Sequence, residues 1–303
     1  MQNLETFLTE KNINSDLILI FKYLAIAGSE LQKYLHQAYF ENLLGSEHYV
    51  NIQGEIQQKM DLKAEQLFEQ AVKKCEKISV LVSEERPEPI FFDEKKEYLL
   101  FMDPLDGSSN LEVNGNVGSI FSLYRRQSSN SENIQPSDLL QKADQQVAAA
   151  YILYGPATVL VLSFGEETYG FTLKEDGVFY QSHHFIFPEK PTIYAINQAQ
   201  EPYWDDFTKT KIAHYQKTCN ARYSGALVAD FHRILCKGGV FAYPTTSFVP
   251  QGKLRFLYEC APLALIAKGA KAVAHDGKNE ILNHKPEQIH ERSGFWVEKK
   301  LNL

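Results

Sequence analysis

In the first forty residues Leu17, Ile20, Phe21, Leu24, Leu31 and Leu35 recur at helical spacing, which predicts an N-terminal helical region with these side chains inward. A second helical pattern starts at Met60, with Leu62, Leu67 and Phe68 inward and Asp61 in its first turn. The pattern then changes. Ile78 to Val82 and Tyr98 to Met102 are unbroken apolar runs, as expected of strands covered on both faces. Asp103-Pro104 is expected to end the second run, because Pro has no N–H for a ladder. Gln127 to Gln135, rich in Ser, Asn and Gln, reads as a loop, and Pro136-Ser137-Asp138 as a helix start. Ala148 to Tyr154, Ala157 to Phe164 and Glu167 to Leu173 are strand-like runs parted by Gly-Pro and Gly-Glu turns, an antiparallel meander. Pro188 to Pro191 is the best boundary, followed by a strand at Thr192 to Asn197 and a helix around Tyr203 to Tyr215. The sum is an α/β layered fold without repeats. A chain of 303 residues can form it as one large unit or as two packed halves, which would be residues 1–186 and 187–303.

The richest string is Phe101-Met102-Asp103-Pro104-Leu105-Asp106-Gly107-Ser108-Ser109-Asn110. It places two carboxylates three residues apart at a strand end, with the Leu105 carbonyl between them, as hard oxygen ligands suited to Mg²⁺ or a similar ion. Gly107 permits close backbone approach, and the N–H groups of Gly107, Ser108 and Ser109 form a phosphate cradle if a helix follows. An Asp N-cap with an Asx turn is the plainer reading of Asp106 alone. A second pair, Glu84-Glu85, follows the Ile78 to Val82 run, and in open α/β sheets ligands bind beyond the carboxyl ends of strands. Taken alone these glutamates read as solvated loop charges, and Asp61 reads equally as an acid complementing a helix N-terminus.

With Leu81-Val82-Ser83-Glu84-Glu85, Ala221-Arg222-Tyr223-Ser224-Gly225, Val228-Ala229-Asp230-Phe231-His232-Arg233 and Gly252-Lys253-Leu254-Arg255-Phe256-Leu257-Tyr258-Glu259-Cys260 added, the chain resembles class I fructose-1,6-bisphosphatase from about Phe21 to His290. Inositol monophosphatases share only the Asp-Pro-Leu-Asp-Gly type of core. The resemblance implies a layered αβαβα fold with mixed sheets. It implies that Glu84, Asp103, Asp106, Glu259 and the Leu105 carbonyl bind two or three Mg²⁺ ions, with Mn²⁺ as a substitute. Asp61 and Glu85 would orient and deprotonate water for in-line attack on the 1-phosphate, which Gly107, Ser108 and Ser109 would hold. Asn197, Tyr223, Tyr243 and Lys253 would take the 6-phosphate and sugar, with Arg222 reaching in from a neighbouring subunit of a homotetramer. The implied reaction converts D-fructose 1,6-bisphosphate to D-fructose 6-phosphate and phosphate in gluconeogenesis. Sedoheptulose 1,7-bisphosphate is the nearest competing substrate, and a phosphosugar sensor without turnover is a reading of another class.

The chain departs from the family pattern in places. Gln200 stands where a phosphate-binding tyrosine is usual, so a rearranged 6-phosphate contact is expected. Glu55 takes the place of a mobile-loop acid. Glu97-Tyr98 replaces a Lys-Tyr pair of the animal AMP site, and Gly28-Ser29-Glu30-Leu31-Gln32 replaces its helix-opening turn, so strong AMP inhibition is not expected.

Composition adds exclusions. A net charge of -7 argues against nucleic acid and anionic membranes as partners. No signal-peptide pattern or membrane-spanning run is present, so a cytoplasmic location is expected. Cys75, Cys219, Cys236 and Cys260 have no paired spacing and read as buried free thiols. His183-His184 reads as a surface loop.

Overall fold

The computed structural model of the protein describes residues 1–41, 43–50, 56–128 and 133–299. Helices α1 (Leu4–Glu10) and α2 (Ser15–Gln37), the antiparallel pair β1 (Ser46–Val50) and β2 (Ile56–Gln58), and helix α3 (Lys59–Cys75) lead into a large sheet. Its strands are β3 (Ile78–Ser83), β4 (Ile90–Phe91), β5 (Tyr98–Asp106), β6 (Val117–Arg125), β7 (Gln146–Tyr154), β8 (Thr158–Ser163), β9 (Thr168–Leu173) and β10 (Phe179–Phe185), with the short α4 (Pro136–Leu139) between β6 and β7. Their order is β10-β9-β8-β7-β6-β5-β3-β4. The β3–β5 pair is parallel, and the expected meander extends over β6 to β10.

The chain continues through β11 (Ile193–Ala195), α5 (Asp206–Thr218), β12 (Asn220–Ala221), α6 (Leu227–Lys237), β13 (Gly239–Tyr243), β14 (Leu254–Arg255), α7 (Ala261–Gly269), β15 (Ala272–His275), β16 (Arg292–Ser293) and β17 (Phe295–Lys299). A second, mixed sheet runs in the order β12-β11-β13-β17-β15, and β14 pairs with β16. Three apolar clusters define the layers. One joins α1, α2 and α3 to one face of the large sheet, through residues such as Phe21, Phe68, Leu100 and Met102. The second fills the space between the sheets with α6 and α7, through Leu99, Phe101, Phe231, Leu263 and Phe241. The third packs α5 through Ile212 against Tyr194, Val240 and Trp296 on the far face of the second sheet. The result is an αβαβα stack. Successive residues of β5 point into different clusters, which is why its sequence is apolar without alternation.

Several expectations are corrected. Pro104 does not end the strand: β5 runs on to Asp106, and the register shifts between Asp103, opposite Ile120, and Asp106, opposite Gly118. Pro104 sits in that bulge, where no ladder donor is required, and its carbonyl accepts from Ser119 Oγ at 2.8 Å. His183-His184 is no loop but part of β10, exposed, with His184 stacked on Tyr169. Leu62 is 37% exposed, pointing away from the core that Leu67 and Phe68 enter. Helix α5 starts at Asp206 because the Asp205 carboxylate caps the Thr208 N–H at 2.8 Å. Cys75 and Cys260 are buried, but Cys236 is exposed and Cys219 half-buried. Gly28 to Gln32 opens no helix, since it lies inside the continuous α2; Asp16, in the first turn of α2, is the residue that pairs with Lys77 beside Tyr98. Glu55 and residues 129–132 of the expected Gln127 to Gln135 loop lie outside the described residues.

His232 of α6 links the middle layer to β7, with Nδ1 2.7 Å from the Tyr151 hydroxyl. Burial lowers its pKa from 6.5 to about 4. The folded state therefore resists a proton that the unfolded chain accepts, so this contribution is full above about pH 6.5 and is lost as pH falls toward 4. Urea midpoints at pH 7 and pH 5 should show His232→Gln flattening the loss by about 1–3 kcal/mol. Equal slopes for the two proteins would refute this.

Candidate active site

The parallel register of β3 and β5, with Ser83 opposite Met102, sets two strand ends side by side. The Glu84 N–H donates to the Met102 carbonyl at 3.0 Å, so the first glutamate stands next to Asp103. Glu259 arrives from the other half. The segment Phe256–Cys260 forms a wide turn in which the Ala261 N–H reaches the Phe256 carbonyl, five residues back, before α7 begins. Such wide turns re-aim side chains and recur at functional sites. Carboxylate oxygens of Glu84, Asp103 and Glu259 lie within 4.8 Å of one another.

Asp106 holds the halves together. It is buried, and it accepts the Val228 N–H at 2.7 Å and the Leu227 N–H at 3.3 Å, at the start of α6. Two glycines allow that approach. A Cβ on Gly107, whose φ is +76°, would stand 2.8 Å from the Ala226 Cβ, and one on Gly118 would stand 2.8 Å from Val228. Gly107→Ala should therefore cost about 1–3 kcal/mol of stability through φ strain and overlap, read as a lower denaturation midpoint. An unchanged midpoint would contradict the crowding.

Burial raises the pKa of Asp103 well above the carboxylate range, and Glu84, Asp106 and Glu259 push it further up. Burial, followed by Glu84, does the same to Glu259, although the Arg255 N–H donates to it at 2.5 Å. Burial raises Asp106 to about 6, against the opposing Val228 and Leu227 N–H bonds. Arg255 Nη2 lies 3.5 Å from Glu84, and a single guanidinium at that distance does not balance the acidic set. Converging hard oxygens that repel one another fit a divalent cation of the Mg²⁺ or Mn²⁺ class.

A cleft of about 460 Å³ opens from these carboxylates and is lined by Glu85, Leu105, Gly107, Ser108, Ser109, Tyr223, Tyr243, Lys253 and Arg255 as well as the acids. Ser108–Val113 is a tight helical turn capped by Gly107. Asp61, buried in α3, accepts from Ser108 Oγ at 3.3 Å and so stands behind the cradle. Across the cleft the Tyr223 hydroxyl bonds Tyr243, and burial and that neighbour raise its pKa. Lys253 and Arg255 supply positive charge to the same lining, so the cleft combines acids, cations and hydroxyls.

Three expected site residues stay outside this lining: Asp61, behind Ser108, and Asn197 and Arg222. Asn197 uses its side-chain oxygen to cap the turn Gln198–Tyr203, accepting the Ala199 N–H at 3.1 Å. Arg222 is exposed, with Nη1 on the Ala221 carbonyl at 2.7 Å. Sequence reasoning passes over Asp230, which lines the cleft and accepts the N–H groups of Ser224 and Gly225, fixing the loop after Tyr223. It also passes over Arg255, whose Nη1 donates to the Lys253 carbonyl at 2.8 Å. Both lie in strings that carry the family resemblance, which is the available signal. A larger groove of about 870 Å³ runs along α7 and β15, where Lys299 pairs with Glu189 and Lys271 donates to the Glu166 carbonyl.

Comparison with known proteins identifies similar chains over nearly the whole length. A family model described as fructose-1-6-bisphosphatase, N-terminal domain, matches residues 3–184, and one described as the C-terminal domain matches residues 187–302. The holo crystal structure of Leishmania major fructose-1,6-bisphosphatase is similar at 31% identity and TM-score 0.94, covering 99% of this chain and 95% of that one. The apo form of the Leishmania enzyme gives 29% identity and TM-score 0.86, covering 99% and 96%.

Proposed function

Since the chain belongs to the fructose-1,6-bisphosphatase family and is thus a phosphoric monoester hydrolase, we propose that it removes the 1-phosphate of D-fructose 1,6-bisphosphate. The products are D-fructose 6-phosphate and phosphate, and the role is gluconeogenic carbon flow in the cytoplasm. The carrying observation is one cleft whose lining combines converging buried carboxylates with Lys253, Tyr223 and Tyr243. That mixed lining suits a short sugar carrying two phosphates, one for the cation-binding acids and one for the lysine and hydroxyl donors. The higher similarity to the holo form of the Leishmania enzyme supports a binding-competent arrangement.

Glu84, Asp103, Asp106, Glu259 and the Leu105 carbonyl would hold two or three Mg²⁺ ions, or Mn²⁺ in their place. When bound, such ions lower the pKa of water and neutralise charge on the transferring phosphoryl group. Asp61 and Glu85 orient the attacking water and take its proton. Gly107, Ser108 and Ser109 hold the 1-phosphate through N–H and O–H donors, which keep it in line with that water. Tyr223, Tyr243 and Lys253 anchor the 6-phosphate with Asn197, and Arg222 completes the site of a neighbouring subunit in a homotetramer. An Arg222 exposed beside Tyr223 and outside its own cleft is consistent with that role.

Phosphate release from fructose 1,6-bisphosphate and from sedoheptulose 1,7-bisphosphate, with Mg²⁺ and with EDTA, tests the reading. A kcat/KM at least about tenfold higher for the fructose ester, abolished by EDTA, is expected, corresponding to about 1.4 kcal/mol of discrimination. Preference for the longer sugar would move the assignment to sedoheptulose bisphosphatase, and sugar-phosphate binding without release would make the protein a sensor.

A further inference from the structure

The Glu84-Glu85 dipeptide is tied on both sides to one carboxylate that plays no part in the chemistry above. Glu65 of α3 is buried, with a side chain 3% exposed. Its Oε2 accepts from Ser83 Oγ at 2.5 Å and its Oε1 from Arg86 Nε at 2.6 Å. Ser83 and Arg86 are the residues immediately before and after the dipeptide. Ser83 Oγ in turn accepts the Glu85 N–H at 3.3 Å, and Arg86 Nη2 donates to Glu69 Oε2, one turn further along α3, at 2.7 Å. One turn earlier on the same helix, Asp61 accepts from Ser108 of the phosphate cradle. A single helix therefore spaces both loops that face the cleft.

We propose that Glu65 and Arg86 are positioning residues that hold Glu84 and Glu85 in metal-binding orientation, and so set the affinity of the site for divalent ions. The inference rests on the proposed metal-binding role of the dipeptide. Stability alone is a poor reason for the arrangement. Burial raises the pKa of Glu65 despite the Ser83 and Arg86 bonds, so desolvation outweighs the help from its partners. Arg86 is 40% exposed and would be well solvated if released. What the clamp does supply is geometry. With the Arg86 side chain freed, the dipeptide keeps its Glu84 N–H bond to Met102 and the Arg86 N–H bond to the Ser83 carbonyl at 3.3 Å but loses the tie to α3 on its C-terminal side. Groups that orient metal ligands typically change metal affinity about 10- to 100-fold when removed.

The test uses the full-length chain stripped of metal. Mn²⁺ binding is followed by electron paramagnetic resonance without substrate, alongside thermal unfolding and Mg²⁺-dependent phosphate release. For Arg86→Gln and Glu65→Gln the Mn²⁺ Kd should rise about tenfold or more, with the half-saturating Mg²⁺ concentration rising in parallel. The KM for fructose 1,6-bisphosphate at saturating metal should stay within about twofold, since Lys253, Tyr223 and Tyr243 are untouched. Arg86→Lys should fall between, because a lysine reaches one carboxylate without the fork. An Arg86→Gln protein with unchanged Mn²⁺ affinity overturns the proposal, whatever happens to its unfolding midpoint. Glu69→Gln removes the outer tie of the clamp, together with the pair to Lys73 on the same helix, and decides the matter if the inner variants fail to fold: a smaller rise in Kd supports the clamp, and none overturns it. A wild-type protein that binds Mn²⁺ tightly but releases no phosphate would sink the functional reading while leaving the clamp standing.

Discussion

Asp103→Asn is expected to lower kcat/KM for phosphate release by about a thousandfold or more while leaving the metal-free fold at least as stable as the wild type. A thousandfold loss is about 4 kcal/mol, the scale of transition-state charge stabilisation that metal ions provide. The amide is isosteric, and its oxygen can still accept the Leu105 N–H that Asp103 Oδ1 accepts at 3.0 Å. It removes one of the buried acids that repel one another around the 4.8 Å cluster. Unfolding followed with and without Mg²⁺ separates the effects. In the wild type, saturation at about 100 times Kd should add about 2.7 kcal/mol of stability, and the variant should lose most of that increment. A variant that still hydrolyses the ester, or is still stabilised by Mg²⁺, would remove Asp103 from the site.

Lys253→Ala should act on binding rather than on the chemical step, raising KM for the bisphosphate about 10- to 100-fold with a smaller change in kcat. A charge-assisted bond to phosphate contributes about 1.5–3 kcal/mol, and a contact remote from the reacting phosphorus is made in ground and transition states alike. The comparison with a monophosphate substrate sharpens the result. If Lys253 holds the second phosphate, the variant should handle a sugar 1-phosphate no worse than the wild type does. Equal losses on both substrates would place Lys253 at the chemistry itself and overturn its assignment to the second phosphate.

Much of the site is legible in the chain itself, and the reason is local. Asp103, Asp106 and Glu84-Glu85 follow apolar runs whose length and composition mark buried strands, so their position at strand ends can be argued from the residues alone. Gly107 before two serines signals a backbone turn that needs positive φ, which is what it adopts. Pro104 misleads for the same local reason, because a bulge opposite Gly118 that spares its missing N–H depends on the neighbouring strand. Leu62 is misread because exposure in a helix depends on what packs against it, and His183-His184, correctly read as exposed, belongs to a strand because β9 pairs with it. Glu65, Asp230 and Arg255 give little sign of themselves. Each gains meaning from a partner: Ser83 and Arg86 for Glu65, the Ser224-Gly225 backbone for Asp230, and Glu84 for Arg255.

Taken by itself, the order of residues determined which segments become strands and helices, where carboxylates at strand ends and a glycine turn before two serines occur, and which family the chain resembles. These follow from side-chain periodicity and backbone preference, which act over a few neighbours. The tertiary structure alone decided that Glu259 reaches Glu84 and Asp103, that Asp106 caps α6 while facing the same cleft, and that α3 clamps the glutamate dipeptide. Those contacts join residues 18 to more than 100 positions apart, across layers whose spacing is set by how the apolar faces pack.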